Sequence, residues 1–216
     1  MKIDIVEIPN PFFEDVLPNL ICIEGIDGCG KDTQLNILKD EGFLVESEPD
    51  YKSPIGVLTR KVLSKDITLE DRKTIEYLFC ADRNEHVAKI RKRDRLTISG
   101  RYKYSGLAYA EDDELVPRLN SSFPNASLII YLDLSPEKAM ERISSRGEKL
   151  ELYETLEKLK ETRERYSKIL DNLPSNVKVV KIDATLSISE IHDMIVDKIL
   201  EYKLMVYWCT GKNYEI

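Results

Sequence analysis

Histidine is almost missing from this chain: there are two in 216 residues, too few for a histidine-rich zinc centre. The four cysteines, Cys22, Cys29, Cys80 and Cys209, have neither close pairing nor metal-ligand spacing. A disulfide framework is therefore not expected, and a reducing cytoplasm is the simplest setting. Basic charge is not in excess. The formal net charge is −7, which argues against a broad nucleic-acid-binding face while leaving room for a local phosphate pocket. Long apolar runs are also absent. Stretches such as Leu128–Leu132 are far too short to cross a bilayer, and the opening MKIDIVEIPN lacks the apolar core of a secretory leader. Internal repeats and low-complexity linkers are lacking too.

What is present is an ordinary globular balance, with 42% hydrophobic and 33% charged residues, in a length that suits one domain with a lid. Residues 1–19, with three prolines, read as an N-terminal extension, residues 20–202 as the domain, and residues 203–216 as a tail without a motif. Apolar strand-like runs at Leu20–Glu24, Phe43–Glu46, Leu96–Ser99, Ser127–Leu134 and Val177–Ile182 alternate with helical stretches. That alternation predicts an α/β fold with a parallel sheet covered on both faces. Helix signals include Ser53-Pro54 as N-cap and first turn, and Thr68-x-x-Asp71 as a variant capping box opening a helix to about Asp94. An interrupted helix is expected over 103–121, and others over 153–173 and 187–202.

The strongest chemical signal is Gly25-Ile-Asp-Gly-Cys-Gly-Lys31, between the first strand and the first helix. This is P-loop spacing in the context it requires. The loop's N–H groups, from Gly25 through Asp27, Gly28, Cys29 and Gly30 to Lys31, Asp32 and Thr33, can cradle the phosphates of ATP, and Lys31 can reach the β- and γ-phosphates. The residue after Lys31 is Asp32, where a hydroxyl is usual. Its carboxylate is either a Mg²⁺ ligand or a helix N-terminal acid favoured by the dipole. Phe79 and Arg83 stand four apart, so they share a helix face. They suit a base-stacking ring with a donor to a base carbonyl, or a core Phe beside a surface Arg.

Five segments in register resemble the thymidylate kinase family: EGIDGCGKDTQ (24–34), LFCADRNEH (78–86), GRYKYSGLAYA (100–110), SRGEKLELYE (145–154) and IDATLSI (182–188). The resemblance covers about residues 20–202. It implies a P-loop NTPase-type five-stranded parallel sheet wrapped by helices, with a short lid at about 143–152. It implies ATP-dependent phosphorylation of dTMP with Mg²⁺, catalysed by Lys31, Arg101 and Arg146, in a cytoplasmic homodimer with no membrane or nucleic-acid partner. By the same resemblance, dTMP would meet Asp27 at its 3′-hydroxyl, Tyr109 at its sugar, Arg101 at its phosphate, and Phe79 and Arg83 at its base. Ser105, Gly106 and Tyr153 would complete that side, and Arg142 and Lys149 are further cationic candidates. Three departures stand out. Gly100 replaces the family's Asp before Arg-Tyr. Ser47 and Tyr51 stand where acceptor-phosphate arginines occur. Leu152 replaces an arginine of the lid. Two alternative functions remain open: a deoxyribonucleoside kinase using Glu48 as general base, or a nucleotide-binding regulator without catalysis.

Overall fold

The computed structural model describes residues 15–147 and 150–216. Residues 1–14 of the expected extension, and Lys149, lie outside them. The five apolar runs form five strands: β1 (Val16–Glu24), β2 (Val45–Ser47), β3 (Thr97–Gly100), β4 (Asn125–Asp133) and β5 (Lys178–Asp183). They lie in the order β2-β3-β1-β4-β5, and every pairing is parallel. Leu20 to Ile23 are fully buried, as expected for a central strand covered on both faces. The chain leaves β1 toward β2 on one side and crosses from β3 to β4 on the other. The carboxyl ends of β1 and β3 therefore border a crevice, the usual ligand position in an open α/β sheet.

The sheet takes in more of the N-terminus than the sequence suggested. β1 starts at Val16, so residues 16–19 belong to the sheet rather than to an extension. Pro18 hides this, because it has no N–H to give to a ladder. It sits where the register slips: Leu17 pairs with Ala126 but Ile21 with Leu128. The neighbouring Asn19 is buried and donates to the carbonyls of Ile90 (2.9 Å) and Arg93 (3.0 Å).

The helices are α1 (Lys31–Asp40), α2 (Pro54–Leu63), α3 (Thr74–Ile90), α4 (Lys103–Tyr109), α5 (Leu115–Asn120), α6 (Pro136–Ser145), α7 (Leu156–Asp171) and α8 (Ile188–Thr210). Ser53 caps α2 as expected, its Oγ accepting from the N–H of Gly56 at 2.8 Å. The expected box at Thr68 and Asp71 does not open α3. The Asp71 carboxylate instead accepts from the N–H of Lys73 in a local turn, and the helix starts at Thr74. The helix expected over 103–121 is two, because Asp112 accepts from the N–H groups of Glu114 and Leu115 and restarts the chain as α5. α7 begins after the expected Tyr153, behind an N-cap at Thr155. α8 runs past the expected Tyr202 to Thr210, because its buried stripe of Ile191, Ile195, Ile199 and Tyr202 continues to Val206. Beyond it Glu215 bridges Arg95, and its carbonyl accepts from the N–H of Leu96 at 2.8 Å, so the tail closes against the start of β3.

Buried charge ties α3 to β2. Glu46 is 2.8 Å from His86 Nε2 and accepts from both terminal nitrogens of Arg93 (2.7 and 2.8 Å). Glu48 meets His86 Nδ1 at 2.9 Å and accepts from Arg83 Nε at 2.8 Å. With carboxylates at both ring nitrogens, His86 carries both protons. Burial opposes this, but the Glu46 and Glu48 carboxylates, paired with the ring as acceptors, prevail and lift its pKa to about 9. Because that lies above the unfolded value, the stabilisation is complete below pH 6.5 and is lost as pH rises through about 9. The gap in urea-unfolding stability between the wild type and His86→Gln should therefore shrink by on the order of 3 kcal/mol between pH 6 and pH 10. A gap that does not change with pH would contradict the doubly protonated ring. Asn19→Ala, which strips two carbonyls of their donor, should cost about 1–3 kcal/mol in the same assay.

Candidate active site

The loop after β1 owes its shape to close approaches that exclude side chains. At Gly25 a Cβ would lie 2.8 Å from the carbonyl oxygen of Leu132, and at Gly28 2.6 Å from that of Ala139. Both residues have positive φ (152° and 79°), so glycine is required on two counts. The first α-helical bond runs from the N–H of Gln34 to the carbonyl of Gly30 (3.2 Å). The N–H groups of Lys31, Asp32 and Thr33 thus lie in the first turn, where helices leave donors for an anion.

A cavity of about 330 Å³ runs from this loop to the side of α3. It is lined by Asp27, Gly28, Gly30, Lys31, Asp32 and Thr33 from the loop and α1, by Phe79 and Arg83 from α3, and by Arg101, Ser105, Gly106 and Tyr109 after β3. Arg146 and Tyr153 complete the wall. The fold thus brings together almost every residue singled out in the sequence. Among the described candidates Gly25, Cys29 and Arg142 are the exceptions. Cys29 is buried beneath the loop, and Gly25 lies against it and Leu132, so both shape the loop rather than line the cavity.

Arg101 holds the centre. It is a non-glycine residue at φ 73°, a left-handed conformation that costs roughly 1–2 kcal/mol. Its N–H donates to Ile23 (3.1 Å), and Ser99 Oγ donates to its carbonyl (2.7 Å). The guanidinium pairs with Asp27, donates to Ser105 Oγ at 3.1 Å and lies 5.0 Å from the ring centre of Tyr109. The Tyr109 hydroxyl donates to the Asp27 carboxylate and accepts from the Asp27 N–H, each at 3.0 Å. Tyr109 in turn packs edge-on to Tyr153, with ring centres 5.6 Å apart. Beneath them lies the fully buried Glu24, which accepts from Ser105 (2.6 Å) and Tyr166 (2.8 Å). Burial raises its pKa.

At the other end Arg83 is almost fully buried. It is held by Glu48 and Asn120, and it lies 5.6 Å from the ring centre of Tyr102 and 5.7 Å from that of Phe123. At the loop end Asp32 is an exposed carboxylate whose pKa is lowered chiefly by Lys31, with Arg101, Arg146 and Arg60 assisting.

Arg60 was not foreseen. It lies on α2 and donates to Glu151 across the cavity mouth at 2.6 Å. Glu154 pairs with Arg146 at 3.3 Å and accepts from the N–H of Glu151 at 2.8 Å. These bonds fasten the described part of the lid. That lid begins at Arg146, since residues 143–145 are the last turn of α6. Nothing local in the sequence marks Arg60, whose partner is 91 residues away. Arg142 faces elsewhere: it donates to the carbonyls of Gly28, Cys29 and Ala184 and braces the loop. At Gly100 a Cβ would lie 2.3 Å from Leu35 Cδ1. A leucine thus fills the space beside the position where the family carries an acid.

Comparison with known proteins shows the family. The family model described as thymidylate kinase matches residues 23–195. The thymidylate kinase of Leptospira interrogans is 36% identical over 170 residues, spanning 71% of this chain and 82% of its own. A Treponema pallidum protein, provisionally described as a thymidylate kinase, is 32% identical over 205 residues, spanning 88% of this chain and 98% of its own. Among solved structures, the thymidylate kinase of Candida albicans superposes with a TM-score of 0.67 at 26% identity, over 85% of this chain and 92% of its own. By its sequence and by the fold that carries these side chains, the chain belongs to the thymidylate kinase family.

Proposed function

We propose that the chain transfers the γ-phosphoryl group of ATP to the phosphate of dTMP, and that the residues gathered around the cavity do this work. The observation that carries the reading is that one cavity gathers three kinds of group. The phosphate loop with Lys31, the guanidiniums of Arg60, Arg101 and Arg146, and Phe79 with Arg83 all line it. That set suits a triphosphate, a transferring group and a pyrimidine nucleotide. Phosphoryl transfer needs positioning and charge neutralisation more than proton transfer, and a phosphate acceptor is already anionic at neutral pH. Arg101 orients the acceptor phosphate, which takes over contacts now made by Asp27. Asp27 and Tyr109 meet the sugar, and Phe79 stacks on the base. Arg146 closes from the lid and helps exclude water.

Mg²⁺ fits this site as a companion of the triphosphate. Asp32 is an exposed carboxylate at the loop, a hard oxygen donor of the type Mg²⁺ takes. Among the described residues no group of three or more metal-binding side chains gathers, which suits an ion held mainly by phosphates and waters. When bound, it would neutralise charge on the triphosphate. A homodimeric assembly and a cytoplasmic location rest on the family resemblance. Among the described residues no helix is long and apolar enough to cross a membrane.

The structure of a deoxyadenosine kinase from M. mycoides also superposes, with a TM-score of 0.65 over 84% of this chain and 99% of its own. At 19% identity it speaks for the fold alone. A nucleoside kinase would need Glu48 as a free base, yet Glu48 is buried and committed to Arg83 and His86. A regulator without catalysis would not need Lys31, Arg101 and Arg146 on one cavity.

The test offers thymidine, dTMP and dUMP separately with ATP and Mg²⁺ and resolves the products by chromatography. Diphosphate from dTMP is expected. Phosphorylation of thymidine alone would overturn the reading in favour of a nucleoside kinase, and nucleotide binding without any product in favour of a regulator. Arg101→Ala should lower turnover of dTMP by about 10³–10⁵ if it stabilises the transferring group. Asp32→Thr should lower Mg²⁺-dependent turnover by about 10–100-fold. Asp32 in this reading supplies the carboxylate that Gly100 lacks, so returning an acid at position 100, with Leu35 cut back to make room for it, should recover part of that loss in the triple change D32T/L35A/G100D.

A further inference from the structure

The wall that carries Phe79 and Arg83 also carries a carboxyl group with no structural partner. Glu76 lies on α3, three residues before Phe79 and seven before Arg83, and lines the same cavity. It is only 7% exposed. No other described residue makes a hydrogen bond or an ion pair with its carboxyl, and its oxygens are not among the fully enclosed polar atoms left without a partner. The carboxyl therefore opens onto the cavity, where a donor of a ligand can reach it. The charged and titratable groups around it come from every side. Arg83 lies on its own helix, Glu111 and Asp112 in the α4–α5 loop, Lys158 on α7 and Tyr153 in the lid turn. Burial, reinforced by Glu111 and Asp112 and opposed by Arg83 and Lys158, raises its pKa to about 7.

We propose that Glu76 is a specificity-determining residue that reads the imide edge of the acceptor's pyrimidine base, the ring N–H together with one flanking carbonyl. This rests on the dTMP reading above and names the group that would select a thymine-type or uracil-type ring. Seven residues of helix advance about 10.5 Å, with Phe79 between Glu76 and Arg83. A ring stacked on Phe79 therefore lies between a carboxyl and a guanidinium. Arg83 has donors only and suits one carbonyl. A protonated carboxyl has one donor and one acceptor, so it pairs with N3–H and the other carbonyl together. Once ionised it can still accept from N3–H, but its second oxygen then faces a carbonyl oxygen. Glutamine keeps the donor and acceptor without a titration.

The test measures KM and kcat for dTMP from pH 6 to pH 8.5 in the wild type, Glu76→Gln and Glu76→Ala, with dTMP binding followed by calorimetry. Taking the ratio of wild type to Glu76→Gln cancels the titration of the substrate phosphate. That KM ratio should rise above pH 7, by at most about tenfold per pH unit, and level off at the weaker affinity of the ionised form, with little change in kcat. Glu76→Ala should raise KM by about 5–150-fold at pH 6.5, the equivalent of one lost buried partner. A dTMP methylated at N3 should bind the wild type poorly and discriminate little against Glu76→Ala. A KM ratio that is flat with pH, or a Glu76→Ala protein with wild-type KM that still phosphorylates dTMP, would overturn the inference and leave the dTMP reading standing. A wild type that neither binds nor phosphorylates dTMP would overturn both. If Glu76→Ala fails to fold, the near-isosteric Glu76→Gln profile decides alone.

Discussion

The constraint on which the site depends is that its positive charges must be held in place before any phosphate arrives. Lys31, Arg60, Arg101 and Arg146 face one cavity, and unpaired like charges at such spacing would push the walls apart. The protein answers with carboxylates. Asp27 pairs with Arg101, Glu151 with Arg60 and Glu154 with Arg146, while Asp32 sits among them all. The Asp27–Arg101 pair matters most, because it joins the phosphate loop after β1 to the end of β3 across the crevice. The left-handed backbone at Arg101 is tolerable because bonds to Ile23, Ser99 and Asp27 together hold it there. On the function proposed above, an arriving phosphate exchanges one anion for another at guanidinium groups already held in place, which limits the reorganisation needed during transfer.

The departures from the family's pattern become coherent in three dimensions. Losing the acid at Gly100 does not leave a hole, since Leu35 occupies the adjoining space. The arginines absent at Ser47 and Tyr51 leave the cavity wall short of cation on that side, and Arg60 reaches the same mouth from the last turns of α2. The acid that appears at Asp32 puts a carboxylate on the phosphate side. Together these changes move charge around the cavity without altering its overall character. Glu48 shows the same logic in the interior, where one carboxylate fixes Arg83 toward the base end and His86 toward β2.

Much of this could be read in the chain. Parallel strands buried on both faces appear as short apolar runs, so all five strands were visible, as was the loop whose glycines the tight approaches to Leu132 and Ala139 demand. What escaped was information held in contacts rather than in spacing. Pro18 disguised the first half of β1, because a residue without an N–H looks like a strand breaker when it sits at a register slip. Reading residues 203–216 as a tail missed the end of α8, whose stripe continues through Val206. Nothing in the sequence singled out Arg60 or Glu76. Only the approach of α2 to the lid, and of α3 to the α4–α5 loop, turns them inward.

The central claim is that the paired cations are set to receive the phosphate of a nucleotide rather than only its nucleoside part. Calorimetric titration of dTMP and of thymidine into the wild type and into Arg101→Ala measures this directly. The account predicts that dTMP binds the wild type at least about tenfold tighter than thymidine, from one or more charge-assisted contacts, and that this preference largely disappears in Arg101→Ala. Equal affinities of the wild type for the two ligands, or a preference untouched by the substitution, would contradict it.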